Sequence, residues 1–163
     1  MNRTRRTHFR RRGFSLVEVL VVLVVIGVLA AVAVPSLARG SDEARTQALR
    51  AALERTRLAL AAHRQAAALS GTQAFPEIAE VEAVGGLLRG GLEANPLSGV
   101  EGVRPATAIQ AGTRAVADES ASGWAYFAES SGSPPSAIFY ANSTRLTTRR
   151  DPQTGDFMRA NEL

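Results

Sequence analysis

The stretch from Phe14 to Val34 constrains this chain more than any other. It holds 21 residues, nearly all apolar, with one acid, Glu18, close to its start. As a helix rising about 1.5 Å per residue it would reach ~31 Å, the thickness of a bilayer's hydrocarbon core. Val and Ile are mediocre helix formers in water. In lipid, however, a helix is the way a single segment satisfies its own backbone, and Gly27 is tolerated there for the same reason. The run therefore predicts a transmembrane helix. A secretory signal peptide is the rival, with Ala31-Val32-Ala33 as a small-residue cleavage site that would expose Val34. The run is longer than the ~7–15 apolar residues of such signals, and Glu18 interrupts it.

Composition supports a disposable leader. The formal charge of +4 suggests a nucleic-acid binder, but all 19 basic residues are Arg and six precede Gly13. Without residues 1–13 the chain has 13 Arg against 15 acids, a side-chain charge of −2. The basicity belongs to the leader, so direct nucleic-acid binding is not expected. Basic residues before an apolar run stay in the cytoplasm, which places the downstream chain outside it. There is no Cys and no Lys. Disulfides, thiolate nucleophiles, Walker A loops and Schiff-base lysines are excluded. His63 is alone once His8 leaves with the leader, and it reads as a solvated side chain. No cofactor or metal is expected, and the chain does not read as an enzyme.

Glu18 is costly in lipid, on the order of 2.5–3.5 kcal/mol at a bilayer centre. One reading lets it snorkel to the headgroups from one turn inside. The other depends on a cut after Gly13. Phe14 would then carry a free amine, with a reference pKa of about 8, and that amine could neutralise the acid. The helix N-terminus would favour the carboxylate as well.

The run Gly13-Phe14-Ser15-Leu16-Val17-Glu18 resembles the class III leader of type IV pilins and type II secretion pseudopilins. The basic flank, the glycine, the Phe, the acid and a proline at Pro35 all fall in register. The resemblance implies cleavage between Gly13 and Phe14 by prepilin peptidase and N-methylation of Phe14. It also implies that Glu18 pairs with a neighbouring subunit's terminal amine during assembly. Partners are then the peptidase, homologous subunits through the N-terminal helix, and inner-membrane lipid before assembly.

Beyond the run, Pro35 should kink or end the helix, and Gly40-Ser41 could start another with Ser41 or Asp42 as N-cap. Residues from Asp42 to Leu69 are rich in Ala, Leu, Arg and Glu. Leu49, Ala52, Leu53, Thr56, Leu60 and Ala67 form one stripe. Asp42/Arg45 and Glu54/Arg57 can pair at i,i+3, and Gly71 is a natural stop. Read continuously, Phe14–Leu69 is a kinked helix of about 84 Å. A head this small cannot cover it, so its first half must meet lipid or other helices. Gly27, Ala30, Ala31 and Ala33 would either allow close helix contact or be inert in lipid.

In the head, Pro76 could open a short helix with Glu77, Glu80 and Glu82 as a solvated face. Gly85–Gly91 reads as a connector, and Asn95-Pro96-Leu97-Ser98-Gly99 as a turn. Trp124–Phe127 and Ala137–Tyr140 flank a Ser/Gly/Pro loop and read as a hairpin. A third strand is sought near Thr107–Ile109 or Ala115–Ala117. The tail shows a turn at Asp151–Gly155 and then frays. Asp151 and Asp156 alone are too few acids to assert a calcium loop.

The expected fold is α+β and pilin-like: a long N-terminal helix, transmembrane in its first half, packed on a small antiparallel β-sheet head. The expected divisions are leader 1–13, transmembrane and assembly helix 14–35, amphipathic continuation 36–70 and extracytoplasmic head 71–163. The expected function is that of a prepilin-like filament subunit, a pseudopilin or minor pilin acting in type II secretion. The alternatives are a type IV pilus subunit for DNA uptake, motility or adhesion, and a secreted or anchored binding module with an ordinary signal peptide.

Overall fold

The computed structural model describes residues 15–163. The expectations for Gly13 and Phe14 lie outside the described residues. Contacts divide the chain into two compact units that meet at Arg39/Gly40. One helix, α1 (Leu16–Ser70), contributes to both. The helical assignment runs through Pro35 and Gly40-Ser41, so the helix does not end at the proline and none starts at Ser41. It does end where glycine allows. Gly71 takes φ +68°, and the Thr72 N–H reaches back to the Ala67 carbonyl at 3.2 Å, closing a Schellman turn.

From Gly40 onward the apolar stripe organises a core. Leu49, Ala52, Leu53, Thr56, Leu60 and Ala67 are all buried. Thr56 is accommodated because its hydroxyl donates to the Ala52 carbonyl at 2.9 Å, which satisfies a polar group in the core. The stripe packs with Val81, Val103, Trp124, Tyr126 and Phe139. Trp124 and Phe139 stack with ring centroids 5.3 Å apart, an arrangement worth about 0.5–1.5 kcal/mol beyond area burial. The Trp124 indole N–H donates to the Glu93 carbonyl at 2.8 Å. The salt bridge among the described residues is Arg55–Glu93 at 3.4 Å, on the exposed helix face. The expected Asp42/Arg45 and Glu54/Arg57 pairs do not close; Arg57 turns inward instead.

The main sheet has the order β1-β2-β3, with β1 (Val103–Pro105), β2 (Trp124–Glu129) and β3 (Ser136–Ala141). The β2–β3 pair is the expected hairpin, in register Tyr126↔Phe139. The third strand differs from expectation. It is β1, and it runs parallel to β2, so the sheet is mixed. The crossover carries the short helix α3 (Ala108–Thr113), where a strand was sought. Thr107 and Gln110 form a capping box, so Thr107–Ile109 starts a helix instead of extending. Ala115–Ala117 is likewise a loop. It is held by the Tyr140 hydroxyl on the Ala115 carbonyl at 2.9 Å and by Asn142, whose amide donates to the Ala117 carbonyl at 2.8 Å.

The remaining elements correct the reading of the loops. Helix α2 (Ile78–Glu82) begins after Glu77, two residues past Pro76. Glu82 is not merely solvated: its Oε1 accepts the Val103 N–H at 2.6 Å and caps the outer edge of β1. The tail does not simply fray. Strands β4 (Leu146–Arg150) and β5 (Phe157–Arg159) form a separate two-stranded antiparallel sheet, closed by the Asp151 turn and followed by a 3-10 turn at Ala160–Glu162. The Asp151 carboxylate accepts the Gln153 N–H at 2.7 Å and stabilises that turn. The Thr148 N–H donates to Thr46 Oγ1 on α1 at 3.1 Å.

Candidate assembly surface

Two regions of the described chain stand out chemically. The first is the opening of α1. Leu16–Ala33 has a mean hydropathy of 3.0, and none of it is buried. The exposed residues lie on every side of the helix, including Leu20, Val21, Val22, Leu23, Val24 and Val25. A helix apolar all round requires lipid or other helices around it. Gly27 meets nothing within 4 Å of a Cβ built on it, so its surface is open to close approach. Length and composition make this helix able to cross a membrane, which fits single-pass anchoring.

Glu18 lies in the first turn of this helix and is exposed. The first helical hydrogen bond there runs from Val19 N–H to the Ser15 carbonyl at 3.2 Å. The N–H groups of that turn have no intrahelical acceptor, so the helix end carries a partial positive charge. A carboxylate is favoured there and disfavoured one or two turns further into lipid. Glu18 is thus the one anionic group on an otherwise uncharged cylinder, at the end where a cation would find it. Pro35, a site residue of the sequence reading, lies within α1.

The second region lies in the head, where α1 meets the free side of β3. A groove of about 680 Å³ opens there, between Leu60, Ala61 and Ala68 of the helix and Ala137 and Ile138 of the strand. Arg57, Arg64 and Arg114 also line it, and no acidic side chain does. Arg57 is half-buried. Its Nη2 donates to the Phe139 carbonyl at 3.3 Å and its Nη1 to the Leu163 carbonyl at 3.1 Å. Burial, and then the Arg114 charge, lower its pKa from the usual arginine value. The sequence reading missed this groove. Its signal was present as a second helical stripe, Arg57, Leu60, Ala61, Arg64 and Ala68, adjoining the core stripe.

Other polar groups serve the fold. Asn142 is fully buried and accepts from Arg104 Nε at 3.0 Å and from the Ala117 N–H at 3.1 Å. Desolvation raises the Tyr140 phenol pKa, partly offset by Arg104. Tyr126 is pushed up more strongly by burial, with Glu80 adding to it, while its hydroxyl donates to the Pro76 carbonyl at 3.1 Å. His63 is half-buried and lines a shallow hollow with Glu77 and Glu80. Among the described residues no group of three or more His, Cys, Asp or Glu gathers in a way that could hold a metal ion.

These features define an α+β chain whose long N-terminal helix opens with a membrane-capable apolar run and whose second unit carries a small mixed sheet. Comparison with protein families adds the leader: residues 8–34 match the prokaryotic N-terminal methylation motif. The match is confined to that N-terminal stretch of the chain. No curated protein and no solved structure gave a match.

Proposed function

We propose that this chain is a pseudopilin or minor pilin of a type II secretion system, inserted in the inner membrane with its head outside the cytoplasm. Prepilin peptidase cuts between Gly13 and Phe14 and methylates Phe14. The mature subunit then leaves the bilayer and enters a helical filament through its apolar helix. The observation that carries this reading is the methylation motif at residues 8–34, in register with an exposed apolar helix whose acid sits in its first turn. In this scheme Glu18 takes the terminal amine of an adjacent subunit, which offsets the cost of a carboxylate in an apolar bundle. Pro35 bends the helix between its assembly part and its head-bearing part. The absence of cysteine, and with it of a disulfide-closed head, favours the pseudopilin or minor-pilin role over that of a major adhesive pilin.

Glu18→Ala tests the assembly role. Leader removal, read by gel mobility, should be retained, while the subunit should be lost from sheared or purified filaments. Normal incorporation of the variant would overturn the role given to Glu18.

A further inference from the structure

The groove in the head has a backbone feature that side chains alone do not show. β3 is an edge strand, paired only with β2. In an antiparallel pair, residues alternate between pointing both backbone groups at the partner and pointing both away. The phase is fixed here by two observations. The Tyr126 carbonyl accepts from the Ala106 N–H at 2.9 Å, on the β1 side, and Tyr126 lies opposite Phe139. The Phe139 carbonyl in turn faces Arg57. Phe139 and, two residues earlier, Ala137 therefore present N–H and C=O groups to the free edge. Among the described residues the Ala137 N–H and C=O and the Phe139 N–H have no hydrogen-bond partner.

Neighbouring edges are closed. Glu82 caps β1, and beyond β3 the Ser143 carbonyl accepts the Asn161 N–H at 3.1 Å. Ala141, the next outward-facing residue, is fully buried, so the accessible part of the ladder is the part that borders the groove. Unpaired strand edges act as templates for another extended chain unless they are blocked. The groove offers such a chain apolar surface from Leu60, Ala61 and Phe75. It also offers three cations and no carboxylate. Arg64 makes no hydrogen bond or salt bridge among the described residues; its guanidinium lies over the Phe75 ring, 5.9 Å from the centroid, which leaves its N–H donors free.

We propose that this groove binds an extended acidic segment of a partner protein by strand addition to β3. The partner's backbone pairs with Ala137 and Phe139, its aliphatic side chains lie on Leu60 and Ala61, and its carboxylates face Arg64 and Arg114. The proposal does not depend on the filament role, because every residue it uses lies in the head.

The full chain in nonionic detergent can be titrated with a capped, fluorescently labelled hexapeptide of alternating Glu and Val, with the Lys/Val peptide as control. Binding is read by anisotropy, and backbone pairing by hydrogen exchange over residues 136–140. The Glu/Val peptide should bind saturably and slow exchange in that segment. Arg64→Glu should weaken binding at least tenfold. Ala137→Pro should do the same while leaving the fold intact, since the lost N–H faces away from β2. Trp124 fluorescence reports the fold, and Arg64→Glu keeps the test decisive if the proline variant does not fold. Equal binding of the Lys/Val peptide, binding without protection at 136–140, no binding at all, or displacement of the peptide by a DNA oligonucleotide that Arg64→Glu also releases would overturn the proposal.

Discussion

Gly123 carries a sharp steric prediction. A Cβ placed there would lie 2.0 Å from the Val100 carbonyl oxygen and 2.9 Å from Asn95 Cβ. The first distance is far inside van der Waals contact, and its partner is backbone, so no side-chain rotation relieves it. The 95–100 turn would have to move by roughly an ångström. That turn is tied down by Asn95 N–H to the Val100 carbonyl at 2.9 Å, by Gly99 N–H to the Asn95 carbonyl at 2.7 Å, and by the Asn95 amide to the Gly123 carbonyl at 2.9 Å. Asn95 is fully buried, so a displaced amide would also lose its partner without gaining water. Two lost hydrogen bonds at ~1 kcal/mol each, plus overpacking strain of ~1–3 kcal/mol, give a loss of about 3–5 kcal/mol for Gly123→Ala. Gly112→Ala is the control. That glycine lies in α3 with nothing within 4 Å of its Cβ position, so alanine should stabilise by about 0.5–1 kcal/mol. Urea unfolding of the full chain in detergent, followed by the single, fully buried Trp124, measures both. Equal midpoints for Gly123→Ala and the wild type would refute the packing of the turn against β2.

Both tyrosines of the chain have phenols pushed above their ordinary pKa by desolvation. Native absorbance at 295 nm should therefore show no tyrosine ionising normally near pH 10. Because the folded pKa values exceed the unfolded ones, this contribution to stability is full below about pH 10 and is lost as pH rises through the folded values. Glu43 moves the other way: its hydrogen bonds from Thr148 and Gln47 lower its pKa below 4.5. Its stabilising contribution is present above the unfolded pKa and lost as pH falls through the folded one. Thr148→Val should return the Glu43 titration, followed by carboxyl NMR shifts, toward 4.5, and an unmoved titration would contradict the assignment.

The buried stripe from Leu49 to Ala67 was legible because helical spacing and burial share one period, even in an Ala-rich segment. The β2–β3 hairpin was legible from its aromatic runs. β1 was not, because it is three residues long, ends in Pro105, and gains its partner through a parallel crossover that leaves no local mark. At Thr107–Ile109, one of the places expected to hold a third strand, the Thr107/Gln110 capping box decided the conformation. The tail hairpin was hidden by Arg-rich, exposed strands with little alternation. Glu18 could be found because a carboxylate in an apolar run conflicts with its surroundings. Of the groove beside β3 only the helical wall, Arg57 to Ala68, is local in sequence; its other wall is strand backbone far along the chain, so the two could not be joined by periodicity alone.

The central claim is that Arg-rich residues 1–13 are a removable leader and that the mature chain begins at Phe14. Mass spectrometry of the mature N-terminus from the native host tests it most directly. A first residue of N-methylated Phe14, absent in cells without prepilin peptidase, is the expected result. A mature chain that starts at Val34, or one that retains the leader in peptidase-competent cells, would contradict it.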